Sequence, residues 1–291
     1  MNSFTDSILT ALRQWRWALL VWCVQLVLAL PPGLQFFDVL KASIGDSLSV
    51  EGLRHDYDHT VLSDFLKIHG GSVSPLLGQL LFLWGVWWIC SVFLKGGLLG
   101  AVVSGNSRNA KQFWSDAATH FFPFLKWGLL FALLFLLWTV ALWWPFLLSF
   151  ESLLLRLNTE QTLLVFFAGV LFLYAAGCII LYAWHLAVLL LIVTHKGPSP
   201  SPSLLKRALR LFWNRQSVFI RNVLLYLALL FLLFLLHRLV EIKFPSDTPL
   251  CLGMLFLLQQ MFLWSHLIIR QALYHVLARW IIRDESHRAK P

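Results

Sequence analysis

Long uninterrupted apolar runs organise this chain, in place of the alternation that marks half-buried strands or the one-sided stripe that marks water-exposed helices. A helix needs about 20 apolar residues to cross a hydrocarbon core of ~30 Å. Six runs approach or exceed that length, at residues 15–30, 76–94, 124–148, 163–194, 223–240 and 250–269. Lys126 is the only Asp, Glu, Lys or Arg within the second, third and fourth of them. The first run is the shortest and leads into Pro31, Pro32 and Gly33, a combination that predicts a helix stop. The fourth, at a rise of ~1.5 Å per residue, is longer than the core is thick, which predicts tilt or projection into water. The pattern predicts an all-α, polytopic transmembrane bundle of six spans, forming one integral membrane domain over residues 1–291.

Composition points to the same solvent. The chain is 59% hydrophobic and 13% charged, whereas soluble domains carry roughly 25% charged residues. Fifteen Trp and twenty-four Phe suit headgroup-level and lipid-facing positions. Arg13 and Arg16, followed by an apolar stretch, resemble the basic region of a signal peptide. Ala29-Leu30-Pro31-Pro32 offers no small-x-small cleavage triplet, however, so the run reads as a retained helix.

Orientation follows from Lys and Arg. Seventeen of the twenty-three lie on the side of the N-terminal segment if six spans are counted, while ten of the fourteen acids lie opposite. By the positive-inside rule this predicts both termini in the cytoplasm. The net charge of +9 is then a property of inner-face segments, and no nucleic-acid partner is needed to explain it. Cys23, Cys90, Cys178 and Cys251 fall in or beside four different spans with no CxxC pair, as packing residues rather than a disulfide or metal framework.

Two loops have internal pattern. The outer loop, 35–75, contains a stretch from Thr60 to Ile68 with apolar residues at helical spacing and Gly70-Gly71 behind it, predicting a short helix. Just before it, His55, Asp58 and His59 form the one cluster of metal-ligand types outside the spans. Two histidines four apart can share a metal on a helix face. No HExxH or comparable signature accompanies them, so the segment reads as a solvated loop, with no metal and no cofactor expected. In the inner loop, 195–222, Pro198, Pro200 and Pro202 must end the fourth span. Ser203 then caps a helix with Leu205, Ala208, Leu209 and Phe212 on one face and Lys206, Arg207 and Arg210 on another. Leu273, Val276, Leu277, Trp280 and Ile281 repeat the device near the end of the chain, with Arg279 and Arg283 beside them. These are expected to be cytoplasmic amphipathic interfacial helices whose Lys206, Arg207, Arg210, Arg279 and Arg283 meet anionic headgroups at ~1 kcal/mol each. Docking of a protein partner is the competing use of such a helix.

Polar groups inside spans are costly unless paired or lining a cavity. His185, Gln259, His266 and Arg270 form the candidate intramembrane site, with Gln25, Gln260 and Ser265 as further polar residues. His266 and Arg270 are four apart and share a face of the sixth span. The competing reading is interhelical hydrogen bonding at ~0.6 kcal/mol per bond, serving packing alone. No Asp or Glu lies within a span to carry a proton relay. No GxSxG elbow, phosphate-binding glycine loop or HExxH appears, so no catalytic residue is assigned. Gly96, Gly97 and Gly100 predict close helix packing, with Gly85 extending their face. Residues 112–130 and 211–225 share an aromatic pair, Phe113-Trp114 and Phe212-Trp213, followed by Phe124 to Lys126 and by Phe219 to Arg221, a candidate parallel repeat at spacings that differ by four.

Six spans with inner amphipathic segments, together with Phe93-Leu94-Lys95-Gly96-Gly97-Leu98-Leu99-Gly100 and Ser203-Leu204-Leu205-Lys206-Arg207-Ala208-Leu209-Arg210-Leu211-Phe212-Trp213, resemble bacterial polytopic proteins related to the membrane domain of glycerophosphodiester phosphodiesterases. The resemblance implies a multi-pass protein of the bacterial inner membrane. It includes no catalytic phosphodiesterase domain, so it implies no activity and no site. Sequence therefore leads to a non-enzymatic bundle, transporter-like or membrane-organising, whose partner is the bilayer. The alternative is a membrane-embedded enzyme acting on lipid at the outer face, with chemistry at His55 to His59.

Overall fold

Hydrocarbon offers no hydrogen bonds, so a chain that crosses it must pair every backbone N–H and C=O within itself, and a continuous helix does so. The computed structural model, which describes residues 4–44, 59–104, 109–156, 160–194, 202–243 and 249–288, carries this to long helices. Among the described residues they are α1 (Phe4–Arg13), α2 (Trp15–Ile44), α3 (His59–Ser104), α4 (Ala110–Arg156), α5 (Glu160–Thr194), α6 (Pro202–Lys243) and α7 (Pro249–Arg288). Six of them are long and apolar enough to cross a membrane, over Trp15–Asp38, Leu77–Ser104, Ala110–Leu148, Gln161–Thr194, Lys206–Lys243 and Leu250–Arg283.

The helices overrun the boundaries that local signals predict. α2 passes through Pro31 and Pro32 to Ile44, so the expected stop does not occur. α3 runs from His59 through Gly70, Gly71 and Pro75 without ending at the glycines. The loop expected over 35–75 is thus helical at 35–44 and 59–75, and the segment joining them lies outside the described residues. A proline costs a helix about 3 kcal/mol and a glycine about 1 kcal/mol. Leaving the helix near lipid exposes several polar groups at several kcal/mol each, so the helix continues. α6 begins at Pro202, where a proline's missing N–H would be unpaired anyway, one residue before the expected Ser203 cap. It runs to Lys243 with helical geometry lost only at Arg215 (φ −134°, ψ 24°). The predicted amphipathic segment and the fifth span are two halves of one bent element.

Two compact units divide the chain: residues 1–18 with 92–291, and residues 19–91. In the first, α5 is central, touching α4, α6 and α7, while α6 packs on α7 and α1 on α7. Burial gathers at one end of these helices, with Phe146 of α4, 8% exposed, as an exception toward the other end. Leu94, Leu98, Leu99 and Val102 of α3, Phe113, Ala117 and Phe124 of α4, Ala183 and Leu186 to Val193 of α5, Ala208, Leu211, Phe212, Phe219 and Val223 of α6, and Leu267, Leu273, Leu277 and Ile281 of α7 supply the core. The other ends expose large apolar side chains, with Val165 at 73%, Phe172 at 77%, Leu257 at 64% and Ile242 at 80% of their surface accessible. The most apolar 18-residue stretch, within Gln161–Thr194 at mean hydropathy 2.6, has no buried residue. Hydrophobicity highest where burial is lowest would aggregate in water and is the arrangement that lipid solvates. The chain is a multi-pass, all-α integral membrane protein.

Small residues set the helix spacing. A Cβ on Gly97 would lie 2.7 Å from the Phe113 ring, and one on Gly100 would lie 2.6 Å from the Asp116 side chain, so α4 starts tight against the end of α3. In the second unit nothing approaches Gly85, which does not extend this face. A closer contact, unread in the sequence, joins α4 and α5: the Trp138 indole covers Gly177 and its Nε1 donates to the Tyr174 carbonyl at 3.2 Å. Gly177→Ala should therefore destabilise the protein by roughly 1–3 kcal/mol, the usual cost of overpacking. Gly253→Ala, which enters open space on α7, should instead stabilise by about 0.4–1 kcal/mol. Thermal unfolding of the two variants in detergent checks the opposite signs. The proposed repeat has matched burial, Phe113 and Phe212 being buried at 1% and 4% while Trp114 and Trp213 are exposed at 44% and 62%. The break at Arg215 falls where α6 is four residues shorter between its aromatic pair and its next buried Phe.

Candidate functional site

A cation inside a packed bundle costs several kcal/mol unless an anion or a set of acceptors meets it. Lys95 on α3 and Arg270 on α7 are both part-buried, and neither makes a hydrogen bond or ion pair with any described residue. Arg270 Nε is buried with no partner. Each cation also lies within electrostatic range of the other, so repulsion adds to desolvation. The glycines at 96, 97 and 100 let α3 approach α4 closely, and Lys95 is carried into the bundle beside them.

Aromatic and hydroxyl groups lie within electrostatic range of the pair. The Arg270 charge reaches Tyr182 of α5, Tyr226 of α6, and His266 and Tyr274 of α7. The Tyr226 hydroxyl and His266 Nε2 are hydrogen-bonded at 3.0 Å. The Lys95 charge reaches His185, whose ring packs edge-on against Phe131 at 4.7 Å between centroids and whose Nδ1 is buried without a partner. Ammonium, guanidinium and phenol donors without a carboxylate make a site for an anion, since charge-assisted bonds to phosphate or carboxylate are the strongest these groups form. Among the described residues no group of three His, Cys, Asp or Glu can hold a metal.

The four residues predicted for this site are only partly brought together. His266 and Arg270 are together, as their four-residue spacing requires, and His185 joins them through Lys95. Gln259 is exposed, two turns from His266 toward the opposite end of α7. Gln259 and His266 line one groove of about 480 Å³ between α6 and α7, with His237, Arg238, Glu241, Phe234 and Phe262. A second space of about 660 Å³ shares His237, Glu241, Gln259 and Phe262 and continues past Leu252 and Phe256. At its mouth Arg238 Nη1 donates to Glu241 Oε2 at 2.7 Å and the His237 ring stands edge-on to Phe262 at 5.1 Å. Polar groups thus run from Glu241 through Gln259 and His266 to Arg270. Ser265 takes no part, because its hydroxyl donates to the Met261 carbonyl of its own helix at 2.8 Å.

Comparison with family models, curated proteins and solved structures gives no match. The site must be argued from its own chemistry.

Sequence reading missed Lys95, Tyr182, Tyr226 and Tyr274. Lys95 sits one residue past the apolar run and is indistinguishable in sequence from an inner-face lysine. The tyrosines read in sequence as ordinary membrane-helix aromatics, and only the tertiary structure brings them within electrostatic range of Arg270. It also missed α1 and the corner that binds it. Phe4, Ser7, Ala11 and Gln14 recur at helical spacing, and Gln14 forms the one-residue turn into α2, its N–H donating to the carbonyls of Thr10 at 3.2 Å and Ala11 at 3.0 Å. Its buried Oε1 accepts from Gln271 Nε2 and from His275 Nε2, both at 3.1 Å. Arg279 Nη2 donates to Thr10 Oγ1 at 2.9 Å. The predicted headgroup residues differ in setting: Lys206, Arg210 and Arg283 are exposed, whereas Arg207 and Arg279 are part-buried. Of the weak metal candidates, His55 and Asp58 lie outside the described residues, and His59 opens α3 with its side chain outside them as well.

Proposed function

We propose that this protein is a non-enzymatic, transporter-like bundle of a bacterial inner membrane, in which the α6/α7 groove leads an anionic solute to Lys95 and Arg270. The observation that carries this reading is the pair of part-buried cations that make no ion pair with a carboxylate of the described residues. The groove supplies an approach on one side, ending at His266 beside the Tyr226 hydroxyl. The Lys and Arg distribution favours both termini in the cytoplasm, which would turn the groove outward and place the cation pair toward the inner face.

The test is thermal stability of the purified protein in detergent against inorganic phosphate, sulfate, citrate and glycerol phosphate, followed by uptake of any stabilising anion into proteoliposomes. At least one anion should raise the unfolding temperature and be taken up, and the double variant Lys95→Gln, Arg270→Gln should lose both effects. A panel in which no anion distinguishes the wild type from the double variant would sink the reading. Stabilisation without uptake would favour a membrane-organising role for the same anion site.

A further inference from the structure

A different feature lies at the base of α1. A cavity of about 720 Å³ is lined by Arg221, Arg279 and Arg283 together with Phe4, Ser7, Val218, Asn222, Leu225, Val276 and Trp280. That volume is in the range of small-molecule and cofactor sites. From the geometry we infer that this cavity is a stoichiometric site for one anionic phospholipid, its phosphate held by the three arginines and the start of its acyl chains lying along Val218, Leu225, Val276 and Trp280.

Three observations support a built site over diffuse attraction of headgroups to a basic surface. First, the cations converge from two helices, Arg221 from α6 and Arg279 and Arg283 from α7, at spacings of four on α7. Arg221 makes no hydrogen bond or ion pair with a described residue, and Arg279 has only the neutral Thr10 hydroxyl. A phosphate can therefore receive several charge-assisted bonds without displacing a native carboxylate from Arg221 or Arg279. Second, part of the cavity lining comes from a positioned element. α1 brings Phe4 and Ser7 to the cavity and is held there by the Gln14 and Thr10 bonds to α7, while Asn222 is 6% exposed with its Nδ2 donating to the Val218 carbonyl at 2.7 Å. Third, the apolar wall opens to the lipid-facing surface: Leu225, 40% exposed, lines the cavity and is continuous with exposed Leu224, so an acyl chain can enter sideways. A soluble phosphate would use the arginines and leave that wall without a partner. A phospholipid uses both, and basic pockets between membrane helices are known to suit anionic headgroups.

The inference is independent of the Lys95 and Arg270 reading, because the two sites share no residue. Native mass spectrometry of the full chain in mild detergent, mixed with phosphatidylglycerol or phosphatidylcholine, counts bound lipid. The wild type should retain one phosphatidylglycerol in preference to phosphatidylcholine. Arg221→Gln with Arg283→Gln, which leaves the Thr10–Arg279 bond in place, should weaken retention roughly tenfold or more. Leu225→Trp should weaken it similarly, by filling the cavity from its exposed side without altering charge. Lys206→Gln with Arg210→Gln, removing two exposed cations outside the cavity, should leave it unchanged. Equal loss in this last pair, or unchanged binding in both cavity variants, would overturn the proposal in favour of diffuse attraction. Displacement of the lipid by inorganic phosphate alone would overturn it in favour of a soluble anion.

Discussion

Lys95→Met raises the unfolding temperature of the purified protein in anion-free buffer and abolishes the stabilisation that a bound anion gives the wild type. The two effects have one cause. Methionine keeps most of the lysine's apolar length, so little packing is lost, while the desolvation of an unpaired ammonium and its repulsion by Arg270 are removed together. Replacing a buried charge that has no partner with an apolar side chain of similar size should stabilise by about 1 kcal/mol. The same change removes one of the two full charges that hold the anion, so the ligand-dependent increment disappears. A stabilised yet ligand-blind variant identifies a functional site, because natural sequences keep destabilising charges where activity needs them. Differential scanning of wild type and variant, with and without the stabilising anion, reads both numbers at once. If Lys95→Met lowers the unfolding temperature in anion-free buffer, Lys95 is a packing or hydrogen-bonding residue and the anion site is wrongly assigned.

Gln14→Leu should have the largest destabilising effect of the single changes considered. The Gln14 carbonyl oxygen accepts from Gln271 and from His275, which are 0% and 4% exposed. Leucine is close in volume and removes the acceptor, leaving two donors buried without partners at about 1–3 kcal/mol each. The combined cost should be roughly 2–4 kcal/mol, allowing for partial relaxation of the two side chains. Gln14 is also the corner between α1 and α2, so the effect should be local as well as global. Hydrogen–deuterium exchange in residues 4–13 should rise in Gln14→Leu far more than exchange in Ala183 to Val193 of α5. Gln14→Glu supplies a control, since a carboxylate retains acceptors for both donors, and it should keep α1 more protected than leucine does. Unchanged protection of residues 4–13 in Gln14→Leu would show that α1 is held by its apolar face alone.

These expectations separate what was legible in the sequence from what was not. Six helices long and apolar enough to cross a membrane were legible, because an apolar run of sufficient length has one solution in hydrocarbon, a helix that pairs its own backbone. Helix ends were not legible from Pro31-Pro32 or Gly70-Gly71, because the propensity rules that make such residues stops assume water is waiting for the freed backbone groups. The grouping of His266 with Arg270 was legible from a spacing of four on one helix. Its extension to Lys95, Tyr182 and Tyr226 was not, since it depends on how α5 and α6 pack on α7 and on where the end of α3 brings Lys95, and nothing in a single sequence states which apolar faces pair.

The sequence by itself determined the class of protein and its solvent, through run length and the scarcity of charge. Only the tertiary structure decided that burial gathers at one end of the helices, that Gln14 ties α1 to α7, and that two cations share the packed core without an acid. The physical reason is one of range. Membrane insertion is read segment by segment, from transfer energies that each stretch carries alone, whereas association between helices turns on close contacts such as Gly97 with Phe113 and Gly177 with Trp138, which no individual segment specifies.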